Sequence, residues 1–209
     1  MIKKIKLCIA GLAVTLLGFE SILAAGPEQE LSSGPYVTRV IEPKDYRQRQ
    51  VNLSVGNFSP GLHKKISGIT EQIYFECSPS RGLVSTGGYS GFSDYIRSAF
   101  IEQLQDAGSY VAEAPVQLSG ELQKVDLYFD SLVGESFSHG AWALQLTLRS
   151  SLGGEETFNV NHSYPIRNRN NYCYEMANQF MASVQVLMVE ILGSEKFNEL
   201  IRPTGITFR

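Results

Sequence analysis

The sequence predicts an α+β fold: a mixed, largely antiparallel sheet with two long helices packed on one face. Three observations carry this expectation. Two segments, around 96–107 and 173–191, repeat apolar residues at three- and four-residue steps, which places them on one helix face. Between them, residues 116–164 alternate apolar and polar side chains with period two, the mark of strands buried on one side. Helices with a single apolar face are buried most economically against one side of such a sheet.

Taken in chain order, Val51-Asn52-Leu53-Ser54-Val55 alternates as a half-buried strand, ended by Gly56 and Ser59-Pro60-Gly61. Ile73-Tyr74-Phe75-Glu76-Cys77 is a second short strand, closed by Ser78-Pro79. Residues 85–91 are a flexible glycine-rich loop, after which Ser93 is placed to cap a helix. Ile96, Ala99, Phe100, Leu104 and Ala107 form that helix's apolar face, and Gly108 stops it. Val116, Leu118, Gly120 and Leu122 alternate on even numbers, whereas Val125, Leu127 and Phe129 alternate on odd ones. One extra residue near Gln123-Lys124, a β-bulge, would bring both sets to the same face. Trp142, Leu144, Leu146 and Leu148, a turn at 150–154, then Phe158, Val160 and Tyr164 read as a β-hairpin. His162 falls in phase with its apolar positions. The last long helix starts near Asn170 or Asn171 and carries Cys173, Ala177, Phe180, Val184, Leu187, Met188 and Ile191 as one stripe. Ser194 is placed to cap a short final helix with Phe197, Leu200 and Ile201 turned inward, ended by Pro203.

The amino terminus has the order of a secretory signal: Lys3, Lys4 and Lys6, then an uncharged apolar stretch, then Ala24-Ala25-Gly26. Cleavage after Ala25 is expected, and the alternative is an uncleaved helix that tethers the protein to the membrane. The stretch falls short of the roughly 20 residues that span a bilayer, so no transmembrane segment is expected after cleavage. The expected layout is a signal peptide at 1–25, a polar arm or linker at 26–50, one α+β domain at 51–201 and a tail at 202–209. Loss of Lys3, Lys4, Lys6 and Glu20 with the leader removes three positive charges and one negative. The formal charge then moves from −3 to −5. An acidic chain with scattered cations has no electrostatic footprint for nucleic acid. Hydrophobics at 43% and aromatics at 11% supply a core and exclude global disorder.

Cys77 and Cys173 survive such cleavage, and an even pair in an oxidising compartment is a disulfide candidate. On the chain-entropy account, closing so long a loop stabilises by about 4–5 kcal/mol. The alternative is two buried free thiols. Neither cysteine has a second Cys or a His at zinc-ligand spacing.

Catalytic motifs are missing. His63 lies beside Lys64-Lys65 in a loop, His139 precedes Gly140 at a strand start, and no metal-binding motif contains them. Gly88-Tyr89-Ser90-Gly91 approaches a nucleophile elbow but lacks its spacing, and residues 87–91 lack the Lys-Ser/Thr ending of a phosphate loop. Asp126 and Asp130 share a strand face with Tyr128, where carboxylates are commonly solvated. No cofactor or metal is expected.

The helix from Phe92-Ser93-Asp94-Tyr95 to Asp106-Ala107-Gly108, the strand Leu118-Ser119-Gly120-Glu121-Leu122, the 142–164 hairpin and the 173–191 helix follow in a familiar order. In this order and in its apolar pattern the chain resembles small Gram-negative envelope proteins of the YajG-like lipoprotein and transport-auxiliary type, over roughly 50–201. The resemblance implies a mixed sheet with helices on one side and no enzyme activity, and it transfers no functional residues. Members of that type are lipid-anchored. Here Cys8 precedes most of the apolar stretch and follows Ile5-Lys6-Leu7, so a lipoprotein signal is not expected.

The expected function is a non-catalytic periplasmic binding or assembly/transport-accessory protein of the bacterial envelope, with membrane association left open. An exposed sheet edge, or the loops carrying Ser85, Tyr89 and Ser90 and carrying Arg167 and Arg169, would meet an envelope protein or lipid-transport component. The alternative is an envelope hydrolase using Ser90 or the Asp126/Asp130 pair.

Overall fold

Alternation in three long strands builds one apolar sheet face, and everything else is arranged to cover it. The computed structural model describes residues 30–38, 51–61, 74–77, 82–130, 138–167 and 172–202. The expected leader, Cys8, His63 and Arg169 lie outside these residues.

The main sheet has the order β2-β5-β6-β7, with β2 at Leu53–Pro60, β5 at Val116–Asp130, β6 at Ser138–Ser150 and β7 at Glu155–Ile166. β2 runs parallel to β5, and the other two pairings are antiparallel. The expected bulge is present: the β5–β6 register slips between Leu122 and Lys124. It turns the odd-numbered apolar set of β5 to the side already used by Leu118 and Leu122. Trp142, Leu144, Leu146, Leu148, Phe158, Val160, Tyr164 and Ile166 complete that buried face. The hairpin turns through Gly153 and Gly154, with φ +94° and +89°, a conformation that a side chain would strain. Gly120 has a different role. A Cβ there would lie 2.8 Å from the Phe58 ring, so glycine lets that ring lie flat on the sheet.

Helices α1 (Phe92–Asp106), α2 (Tyr172–Leu192) and α3 (Glu195–Leu200) carry the complementary surface. Each apolar position expected on the last long helix, from Cys173 to Ile191, is buried. Phe180 is the hub, with ring centroids 5.0 Å from Phe92, 5.1 Å from Tyr95 and 5.0 Å from Trp142. The Trp142 indole donates to the Met176 carbonyl at 2.9 Å, so this buried polar atom is satisfied. Ser194 accepts the Phe197 N–H at 3.2 Å and caps α3 as expected.

Three local expectations are corrected. Ser93 does not cap α1: Gly91 holds that position without a side-chain bond, and Ser93 is buried in the first turn. The helix begins early because Phe92 packs against Trp142 and Phe180. Gly56 does not end β2, which continues past a register shift between Val55 and Phe58 and stops at Pro60. Arg97 of α1 donates to the Gly56 carbonyl at 2.7 Å and to the Val55 carbonyl at 3.5 Å, replacing ladder bonds lost at the irregularity. Finally, Ser85, read as the first residue of the 85–91 loop, is the last residue of a strand that begins at Gly82.

That strand, β4 (Gly82–Ser85), is the centre of a second sheet of order β1-β4-β3, with β1 at Glu30–Ser32 and β3 at Tyr74–Cys77. β1 belongs to the segment read as an arm or linker, and it pairs parallel to β4. Further along this segment, Tyr36 is buried and donates to Gln103 Oε1 at 3.0 Å. Tyr95 donates to the Gly34 carbonyl at 3.1 Å, and Gln185 donates to the Val37 carbonyl at 2.7 Å. Residues 30–38 are thereby bonded to both long helices.

Burial raises the phenol pKa of Tyr36, Tyr95 and Tyr164 well above the usual tyrosine range, reinforced by nearby acidic groups such as Glu102 and Glu175. The unfolded chain ionises its tyrosines near pH 10, where the folded chain still holds these protons. The contribution of these tyrosines to stability should therefore be level below about pH 10 and fall above it, by about 1.4 kcal/mol per pH unit for each of them. Urea unfolding at a series of alkaline pH values checks this. The Tyr164 hydroxyl has no hydrogen-bond partner among the described residues. Tyr164→Phe should accordingly raise stability at neutral pH by about 1 kcal/mol.

Candidate functional site

The two loops expected to meet a partner differ in how much they offer. Ser85 is only 6% exposed, and its carbonyl accepts both the N–H and the hydroxyl of Ser33, at 2.9 and 3.2 Å. Its own hydroxyl accepts the Gly87 N–H at 3.3 Å. Ser85 is thus a junction between β4 and the 30–38 segment, with its polar atoms directed into the fold. Tyr89 is half-buried and packs edge-on against Tyr95 at 4.8 Å, where burial raises its pKa. Ser90 is exposed, and its N–H donates to the Asp94 carboxylate at 3.3 Å. Arg167 is exposed at the end of β7, and its N–H donates to Glu175 Oε2 at 2.9 Å.

The carboxylate pair is held by strand geometry. Asp126 and Asp130 lie four residues apart on β5, which separates their Cα atoms by about 13 Å. Paired carboxylates in glycoside hydrolysis stand about 5–9.5 Å apart. Asp126 Oδ2 accepts the Tyr128 hydroxyl at 2.8 Å and pairs with Lys124 at 3.1 Å. Lys124 in turn donates to the Tyr128 hydroxyl at 3.0 Å, and these bonds raise its pKa above the usual lysine value. The three side chains form one surface cluster that ties up the carboxylate. The side chain of Asp130 lies outside the described residues. Among the described residues no group of three His, Cys, Asp or Glu side chains could hold a metal, and no helix is long and apolar enough to cross a membrane.

The sheet has two edges, and they are treated differently. At β2, Leu53 bonds on both sides of its peptide to the chain after α1: its N–H to the Ser109 carbonyl at 2.8 Å and its carbonyl to the Val111 N–H at 2.9 Å. β7 ends the sheet on the other side and has no strand beyond it among the described residues. It is 12 residues long, and only Pro165, near its end, interrupts its run of backbone donors. Sequence pattern shows that β7 is a strand but not that it is an edge, since pairing order is a property of the assembled sheet.

Cys173, in the first turn of α2, is buried. Cys77 ends β3, where it pairs across the ladder with Gly82; its side chain is not among the described residues.

No family model matches the chain, and no curated protein matches it. Solved structures of similar outline include a Xanthomonas campestris protein of the DUF330 family, 15% identical, with TM-score 0.47 over 82% of this chain and 96% of that one. A minor lipoprotein from Acinetobacter baumannii is 12% identical, with TM-score 0.39 over 50% of this chain and 85% of its own. Rare lipoprotein B from Shewanella oneidensis is 8% identical, with TM-score 0.35 over 64% of this chain and 88% of its own.

Proposed function

We propose that this chain is a non-catalytic binding or assembly/transport-accessory protein of the bacterial cell envelope, exported to the periplasm on its N-terminal signal. The observation that carries the reading is that β7 is the last strand of the main sheet, with no strand beyond it among the described residues. An exposed edge of this length is a template for strand addition, and natural sheets usually blunt such edges. The partner is an envelope protein that supplies an extended segment to β7. Its main-chain groups complete the ladder, and its alternate side chains reach the two sheet faces. The basic, apolar and small-residue order of residues 1–26 supports export.

Export also supports pairing of Cys173 with Cys77, which would tie the β1-β4-β3 sheet to the first turn of α2. An oxidising compartment favours this pairing over two free thiols.

Photo-crosslinking side chains placed at Asn159 and Asn161 on β7, and at exposed Glu113 near the β2 edge, test the docking reading in intact cells. Both β7 positions should capture one and the same envelope protein, and Glu113 should not. Equal capture from all three positions, or none from β7, would refute strand addition.

A further inference from the structure

The open face of the main sheet carries a feature separate from the β7 edge. The strand registers set Tyr128 beside Ala141 and Ser163 in one row, and Asp126 beside Ala143 and Asn161 in the next. The two alanines lie on the central strand β6, between taller side chains on both flanks. The result is a shallow trough about 10 Å across, the distance over two strand spacings. Tyr128, which is 47% exposed, and Asp126 form one wall. Exposed Asn161 and Ser163 form the other.

The charges of this face narrow what the trough can take. Lys124 is paired with Asp126 at 3.1 Å, and Arg149 with Glu121 at 2.7 Å and Glu155 at 3.0 Å. The charges of the two rows and of the rows towards Arg149 are thus answered within the protein, and a charged ligand would have to compete with those pairs. What remains is a neutral amide, a hydroxyl, the Oδ1 atom of Asp126 and an aromatic face. A protein interface would want an apolar core, and Tyr128 is the only large apolar group in these rows. A neutral polyhydroxylated ring fits: its C–H face lies on Tyr128 and its hydroxyls meet Asn161, Ser163 and Asp126. The half-buried alanines of the floor add a small apolar seat.

We propose that this trough binds a neutral oligosaccharide of N-acetylhexosamine units. One sugar stacks on Tyr128, its acetamido methyl rests over Ala141 and Ala143, and its amide bonds Asn161. Titration of the full chain with chitotriose, followed by amide NMR, tests the site, with maltotriose as the neutral sugar lacking acetamido groups. Chitotriose should give saturable shifts centred on Tyr128, Ala141, Ala143, Asn161 and Ser163, and maltotriose should bind at least about tenfold more weakly, the scale of one lost buried hydrogen bond. Tyr128→Ala and Asn161→Ala should each weaken chitotriose binding by a similar factor. Ala143→Ser, a small substitution on the same strand, keeps the test valid where a larger change disturbs the fold; it should weaken binding by roughening the methyl seat. Absence of saturable binding, equal binding of the two trisaccharides, or unchanged affinity in all three variants overturns the proposal. Crosslinking at Asn159, which lies outside the two rows beside Gln145, remains a separate measurement, so either idea can fail alone.

Discussion

Replacing Phe180 with alanine should lower the free energy of unfolding by about 3–5 kcal/mol, the range for removing a large aromatic from a packed core. Phe180 is fully buried, and its ring is the common neighbour of Phe92, Tyr95 and Trp142. Those three come from α1 and β6, so one side chain joins both long helices to the sheet. The cavity left by alanine is walled by rings and by β6, none of which can collapse into it without breaking another contact. The Trp142–Met176 hydrogen bond lies beside it, so loss of near-ultraviolet tryptophan signal should accompany the loss of stability. Tyr174→Ala on the same helix is the control, because Tyr174 is 57% exposed. It should change stability by no more than about 0.5 kcal/mol. Urea denaturation of the three proteins measures both, and equal effects at 174 and 180 would contradict this account of the core.

Removing the proposed disulfide should cost about 2–5 kcal/mol. Cys77 and Cys173 are far apart in sequence, so a bond between them excludes many extended conformations of the unfolded chain. It would also fasten a sheet of short strands, in which β1 has 3 residues and β3 and β4 have 4 each, to a helix buried in the main core. Pairing makes a specific demand on mutants under oxidising conditions. Cys77→Ser and Cys173→Ser should each lose the same stability, and the double variant should lose no more than either one. Additive losses, or a change in only one variant, would show that the two sulfurs are not partners. Reduction of the wild type should reproduce the single-variant value.

The legible parts of this fold are those in which a periodic pattern runs long enough to name a face. Leu118 to Leu122 and Val125 to Phe129 disclose both a strand and its bulge, because a one-residue slip would otherwise turn half the apolar side chains to water. The stripe from Cys173 to Ile191 identifies α2 and its buried side, and Ser194 marks the next helix by cap chemistry alone. The small sheet gives no such signal. Strands of three or four residues hold too few positions to show a period, and β1 lies in a polar stretch interrupted by Pro27 and Pro35. Ser93 shows the opposite failure. A good capping residue is present, but packing of Phe92 draws the helix start back to Gly91.

The candidate surfaces divide in the same way. Tyr89, Ser90 and Arg167 could be named from loop composition, and Tyr89 and Ser90 sit together at the entrance to α1. Ser85, chosen on the same grounds, is consumed by β4 and the Ser33 contacts, which come from a part of the chain distant in sequence. The Asp126/Asp130 pair was visible as a shared strand face, but the rise per residue keeps it open and Lys124 and Tyr128 occupy Asp126. By itself, the sequence determined the layers, the buried faces, the bulge and the helix stripes, because these follow from local periodicity and side-chain chemistry. Only the tertiary structure decided the parallel pairing of β2 with β5, the place of residues 30–38, the position of β7 as the last strand of the sheet among the described residues, and the rows of side chains that β5, β6 and β7 share. Each depends on which distant segments lie side by side, and the free energy that selects among such pairings comes from assembling the whole sheet.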